Sequence, residues 1–346
     1  MRISSLLFGA GAALGLSFAC AQAAPPTKSP APSGSVGGQK TPPALVLPPQ
    51  TGQPFDDRDL VGYLEQEGRK LLASSLVHRF KIERHLCDVD LTECGQEKLS
   101  LARITAKAEA ATLILGEFFK DPKSKKIQFA TAAGGFLISK TGVVVTCLHV
   151  ANDKESRGLV AMTRDGQVFP VKEAIAHDPV EDVLVLQLDL PGGTELPALG
   201  LAKEPAPVGA SVAVMSHPDE RFYMLTMGNV ARHSIWKEAA GQSHFMAITA
   251  DFAKGSSGCP VLDEQGSVVG VVNNTESIYY DDDGKKKQLD LQMVVKNVTP
   301  SWVVRRLVQS NETLKNRGNP APPPATQVSK RGDQAGPKIL STAAVR

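Results

Sequence analysis

Residues 136–150 read Phe-Leu-Ile-Ser-Lys-Thr-Gly-Val-Val-Val-Thr-Cys-Leu-His-Val. A turn, Lys140-Thr141-Gly142, separates two runs rich in apolar and β-branched residues, and His149 stands just past the end of the second. Short apolar runs bounded by glycine turns predict buried strands, since neither run is long enough for a helix. The same texture extends both ways. Upstream it covers Thr112–Phe119 and Ile127–Ser139; downstream of Val143–Thr146 it covers Gly158–Met162, Val168–Ile175 and Val183–Leu188. Ser211–Met215, Phe222–Val230, Ser243–Thr249, Val261–Leu262 and Val268–Val272 continue the series. Asp165-Gly166, Glu264-Gln265-Gly266 and Asp283-Gly284 punctuate it. So many short strands predict an all-β sandwich or a pair of barrels over residues 111–310. No internal repeat is visible in the sequence.

Around this β region the composition changes. The chain has 346 residues, is 42% hydrophobic and carries a formal charge of +2. Such a composition excludes wholesale disorder, a collagen-like rod and a polytopic membrane protein. The near balance of charge argues against a general nucleic-acid binder. It conceals basic ends and a mildly acidic body: residues 1–54 hold Arg2, Lys28 and Lys40 and no acid. Arg2, the apolar run Leu6–Ala19 and the small-residue pattern Ala21-Gln22-Ala23 predict a cleaved export signal over 1–23, in preference to lipidation at Cys20. No later stretch is long enough to anchor the chain in a membrane, so a periplasmic or secreted protein is expected. Residues 24–54, with nine prolines, read as a disordered linker, and 311–346 as a disordered basic tail.

Between linker and β region, 55–110 reads as helical. Leu60, Leu64, Leu72, Leu76 and Phe80 recur at helical spacing and predict an amphipathic helix over 57–86; a second is expected to start near Gln96 and to end before Ala111. In an oxidising compartment Cys87 and Cys94 are expected to pair and staple these helices as a hairpin, rather than bind zinc with His78 and His85. The hairpin either packs on the next domain for stability or acts as a propeptide over the active site. Thr299–Gln309, with Pro300 in its first turn, closes the fold as a helix.

Three segments carry chemistry. His149 ends a buried strand; Asp182 closes Asp178-Pro-Val-Glu-Asp182 before an apolar strand; Gly255-Ser-Ser257-Gly-Cys259-Pro260 places a serine between glycines. A serine hydroxyl is a weak nucleophile at neutral pH unless an imidazole removes its proton and a carboxylate holds that imidazole in one tautomer. The glycines allow the N–H groups of Gly255 and Ser257 to face a developing oxyanion.

In the order His, Asp, Ser, the motifs T-C-L-H-V, D-x-x-x-D-V-L-V-L and G-S-S-G-C-P resemble the chymotrypsin-fold serine peptidases. The bacterial trypsin-like branch with the Deg/HtrA proteases is the nearest in pattern, though no PDZ domain is expected here. Ala132-Ala-Gly-Gly135-Phe136 and Ser216-His217-Pro218, ahead of Thr226-Met-Gly228-Asn-Val230, are lesser matches. The resemblance spans 111–310 and implies two six-stranded antiparallel β-barrels with the site between them. It also implies a serine endopeptidase acting on proteins or peptides without cofactor or metal: His149 as base then acid, Asp182 as its orienter in preference to Asp178, Ser257 as nucleophile, and Gly255 and Ser257 as oxyanion donors. A catalytically weak protease-fold binding module is the alternative. Ser256 replaces the aspartate that zymogen-activated relatives carry, so that activation route is not expected. Cys147 and Cys259 flank His149 and Ser257, which the resemblance brings together, so they form either a disulfide behind the site or two buried thiols. Asp251, six residues before Ser257, stands where trypsin-like enzymes place the carboxylate that selects Lys or Arg. The other reading is a structural aspartate neutralised by Lys254.

Overall fold

The structure, a computed structural model, describes residues 55–309 except 83–86, 88, 152–154, 239–240 and 283–287. The expected export signal, linker and basic tail, with Cys20 and His85, lie outside the described residues.

Among the described residues, twelve strands form two closed antiparallel barrels of six strands each. The first contains β1 (Thr112–Lys120), β2 (Ile127–Ser139), β3 (Val143–Cys147), β4 (Ser156–Met162), β5 (Val168–Asp178) and β6 (Val183–Leu188). Its order is β1-β2-β3-β6-β5-β4, closed by pairing of β1 with β4. The second contains β7 (Ser211–Ser216), β8 (Met224–Glu238), β9 (Gly241–Ile248), β10 (Pro260–Leu262), β11 (Val268–Asp282) and β12 (Gln288–Pro300). It closes the same way, β7 against β10, and repeats the strand order of the first. In the first barrel, β3 and most of β6 are buried throughout. Both their faces are covered, which is why 143–147 lacks polar alternation.

Strand β12 has no counterpart among the expected strands, and β11 runs past Val272 to Asp282. The two form a long ladder in which polar and charged residues alternate with half-exposed apolar ones. A hairpin reaching beyond the barrel has little core to bury, so its hydrophobic signal is weak.

Before the barrels stand α1 (Asp57–Ala73) and α2 (Leu101–Ala111), capped by the side chains of Asp56 and Ser100. Helix α1 stops well short of residue 86 because Ser75 takes a left-handed backbone (φ 59°). The helices do not staple into a hairpin: α1 packs on β1, β2 and β5, and α2 on β7. Cys87 and residues 89–100 run ahead of α2 as an extended strap. The N–H groups of Val89, Thr92 and Leu99 donate to Val308 (3.0 Å), Ile138 (3.0 Å) and Glu264 (2.8 Å). The strap therefore touches α3 (Ser301–Val308), the first barrel and the second in turn. It carries Cys87 and Cys94 to separate places, with the Cys87 Sγ 4.0 Å from the Leu307 oxygen and the Cys94 Sγ 2.8 Å from that of Leu201. No disulfide joins them, contrary to the sequence expectation. Leu60 and Leu64 are fully buried in the core that the first barrel builds, so α1 is part of that core.

At Gly134 the seam between the barrels brings backbone against backbone. Gly134 of β2 donates to the Ser257 oxygen (3.0 Å), and the Thr146 hydroxyl donates to the Gly134 oxygen (2.9 Å). A Cβ on Gly134 would lie 2.1 Å from the Cys259 sulfur. Gly134→Ala is therefore expected to lower stability by about 3 kcal/mol, the upper range for overpacking a core. Adding Cys259→Ala leaves that Cβ at 3.5 Å from the remaining Cβ, so the double variant should be the more stable of the two. Urea unfolding of both checks this; a double variant no more stable than the single one contradicts it.

Candidate active site

Register brings the first two residues together. Strand β3 pairs with β6, Cys147 opposite Val183, so the residues just past β3 meet those just before β6. His149 lies in a short 3-10 turn, Leu148–Val150, and the Leu148 N–H donates to the Asp182 oxygen (3.2 Å). The Asp182 carboxylate holds His149 twice: Oδ1 accepts from the His149 backbone N–H at 2.9 Å, and Oδ2 lies 2.6 Å from Nδ1. A carboxylate only accepts, so Nδ1 carries the proton and Nε2 presents a lone pair. That nitrogen lies 3.0 Å from the Ser257 hydroxyl, which belongs to the second barrel. Asp178, the rival acid, instead caps its own turn, with Oδ1 accepting from the N–H groups of Val180 (2.9 Å) and Glu181 (3.1 Å).

Ser257 sits between Gly255 (φ 91°) and Gly258 (φ 82°). Both are required: a Cβ on Gly255 would meet the His217 oxygen at 2.7 Å, and one on Gly258 the Gly134 oxygen at 2.5 Å. The N–H groups of Gly255 and Ser257 donate to no backbone acceptor among the described residues. Two free donors beside a nucleophile suit a developing oxyanion. Ser256 is fully buried, so an uncharged hydroxyl occupies the place beside Ser257.

Two expectations are corrected. Asp251 does not floor an enclosed pocket: its side chain is 85% exposed, and Lys296 Nζ lies 3.5 Å from Oδ1. Lys296, not Lys254, is its cation; it reaches in from β12 and also donates to the Phe252 oxygen (2.6 Å). Nor does a disulfide join Cys147 to Cys259. The Cys147 thiol donates to the Val272 oxygen at 3.2 Å, and the Cys259 sulfur faces Gly134. Burial pushes both thiols well above the usual range, and the Asp182 charge adds to this at Cys147. Donor atoms of Cys147, His149 and Asp182 lie within 4.8 Å of one another. However, a neutral buried thiol is a poor metal ligand, and the other two groups are engaged with each other.

His217 belongs to the Ser216-His217-Pro218 segment, to which the sequence assigns no chemical role. It is fully buried beside the Ser257 loop; Nε2 donates to the Leu113 oxygen (3.2 Å) and Nδ1 accepts the Tyr223 N–H (3.1 Å). Burial pulls its pKa from 6.5 down to about 4. The unfolded chain thus takes up this proton first, so the contribution to stability is whole above pH 6.5 and is lost as pH falls towards 4. The loss amounts to about 3 kcal/mol. Urea unfolding of the wild type and of His217→Asn at pH 7 and pH 4.5 checks this: the variant should lose less on acidification, and equal losses contradict the assignment.

A profile for the trypsin-like peptidase domain matches residues 133–271. Among curated proteins, the chain is 31% identical over 150 residues to the uncharacterized protein y4bJ of Sinorhizobium fredii, covering 42% of this chain and 22% of that one. It is 28% identical over 155 residues to the putative serine protease HhoA of Synechocystis sp., covering 43% of this chain and 38% of the relative. It is 31% identical over 137 residues to a probable periplasmic serine endoprotease, DegP-like, of Brucella suis, covering 40% and 26%. The chain thus spans less than two-fifths of the length of these relatives. Among solved structures, the HtrA-type protease AlgW with decapeptide aligns with a TM-score of 0.48 and 19% identity, over 60% of this chain and 66% of that one.

Proposed function

We propose that this chain, which carries a trypsin-like peptidase domain of the chymotrypsin fold and the Deg/HtrA type, is an exported serine endopeptidase. The observation that carries the proposal is the unbroken hydrogen-bonded series Asp182–His149–Ser257, with spacings of 2.6 and 3.0 Å. It favours an enzyme over a protease-fold binding module, which needs no such alignment. Export rests on the leader-like residues 1–23 and agrees with the periplasmic assignment in the name of the Brucella relative.

In this reading the Ser257 oxygen attacks the carbonyl carbon of a peptide bond while His149 Nε2 takes the hydroxyl proton. The N–H groups of Gly255 and Ser257 stabilise the oxyanion, and Asp182 stabilises the imidazolium. Collapse breaks the C–N bond, and the imidazolium returns its proton to the leaving amine. Water, deprotonated by His149, then attacks the ester carbon; the acid product leaves and Ser257 recovers its proton. Substrates are proteins or peptides.

The test is labelling with a fluorophosphonate, followed by mass mapping of the modified peptide. A single adduct on the peptide containing Ser257 supports the reading; an unmodified Ser257 in folded protein overturns it. With its charge shared by Lys296, Asp251 is expected to confer no preference for Lys or Arg before the scissile bond. Peptides differing at that residue check this, and a tenfold preference for Lys or Arg contradicts it.

A further inference from the structure

The three residues of the proposed triad come from two barrels, His149 and Asp182 from the first and Ser257 from the second. Their alignment therefore depends on something that ties the Asp182 turn to the second barrel. Asp182 itself has a left-handed backbone (φ 54°), a conformation unfavourable to most non-glycine residues. A turn held in that state needs external partners.

Its neighbour supplies them. Glu181 is 2% exposed, and its carboxylate leaves the first barrel for β9. There Oε2 accepts the His244 backbone N–H at 2.8 Å and Oε1 lies 2.6 Å from His244 Nδ1, which carries the donated proton. Arg306 of α3 lies 3.6 Å from Glu181 Oε1 and 3.9 Å from Asp178 Oδ2, so one cation faces both acids of the turn. The ring of Trp302 backs the arrangement, edge-on to His244 at 4.8 Å and under the Arg306 guanidinium at 5.2 Å. The Glu181 backbone oxygen accepts the Thr299 hydroxyl of β12 (3.2 Å), and Thr299 accepts the Asn273 amide of β11 (3.0 Å). The backbone oxygen of that same Asn273 lies 3.5 Å from the Ser257 hydroxyl.

We propose that Glu181, His244 and Arg306 form a latch between the barrels that positions Asp182 against His149. They are positioning residues, since none touches the reacting atoms. A buried carboxylate is tolerated only where its hydrogen-bonding capacity is met. Glu181 accepts two hydrogen bonds from His244 of the second barrel, and the charge of Arg306, on the helix that follows it, faces the carboxylate at 3.6 Å. Moving the turn would strip those partners from a buried charge, so the turn stays where they are. The inference rests on Asp182 being the acid of the proposed triad, but its test does not depend on turnover.

The readout is the low-field proton resonance of the His149 Nδ1–H bonded to Asp182, followed in wild type, Glu181→Ala, Glu181→Gln and His244→Gln. A latch predicts loss or marked upfield movement of this resonance in Glu181→Ala and partial recovery in Glu181→Gln, which keeps the length and one acceptor oxygen. On a peptide substrate, kcat should fall at least tenfold in Glu181→Ala with KM within twofold. An unchanged His149 resonance in variants that are merely less stable overturns the proposal. Should Glu181→Ala not fold, the two glutamine variants decide it in the same way. A wild type without Ser257-dependent turnover would overturn the peptidase reading alone, while the resonance would still decide the latch.

Discussion

Ser257→Ala is expected to lower kcat on the order of 10⁶-fold while leaving KM nearly unchanged. The size of the effect follows from the absence, among the described residues, of a substitute nucleophile nearby. The neighbouring hydroxyl of Ser256 belongs to a residue with no exposed surface. The Cys259 and Cys147 thiols are fully buried, and burial raises both so that neither ionises near neutral pH. A water held by His149 at the vacated hydroxyl position would give only slow background hydrolysis. Steady-state kinetics on a peptide substrate, with fluorophosphonate labelling in parallel, checks the result. A loss below a hundredfold would place the nucleophile elsewhere.

Asp182→Asn is expected to reduce kcat by about 10⁴-fold without disturbing the fold. The reason lies in the two bonds the carboxylate accepts. Oδ1 takes the His149 backbone N–H, which can only donate, so the carbonyl oxygen of asparagine must occupy that place. Its NH₂ then falls where Oδ2 faced Nδ1 at 2.6 Å. Two donors cannot face each other, so the imidazole proton moves to Nε2. The nitrogen that should accept the Ser257 proton no longer can. Circular dichroism and melting should resemble wild type while kcat collapses. A variant retaining more than a tenth of wild-type kcat contradicts the assigned tautomer and the role of Asp182.

Much of the site was legible because its residues border strong local signals. His149 follows a run of β-branched residues, Asp182 precedes an apolar strand, and Ser257 stands between glycines whose left-handed backbones permit the turn. Each signal is local, and their order along the chain carried the resemblance. Glu181 was just as visible within Asp178–Asp182, yet nothing in the sequence joins it to His244, 63 positions on. Asp251 misled for the complementary reason. Its cation, Lys296, comes from β12, a strand whose polar alternation had hidden it. The cysteines misled through proximity in sequence: Cys87 and Cys94 are close along the chain, but an extended strap carries them to different carbonyls.

The barrel repeat draws the same distinction. Two six-stranded sheets with one strand order leave no trace as a repeated motif, because barrel closure is a pattern of backbone pairing that many side-chain sets satisfy. The sequence by itself determined most of the β segments, β12 excepted, where glycine must turn the chain, and which three side chains carry the proposed chemistry, all of which depend on a few adjacent residues. Only the tertiary structure decided what each side chain faces: Lys296 against Asp251, Glu181 across the seam to His244, the Cys147 thiol against the Val272 oxygen and the Cys259 sulfur against Gly134. Those pairings depend on register and packing between segments many residues apart, where distance in space and distance along the chain part company.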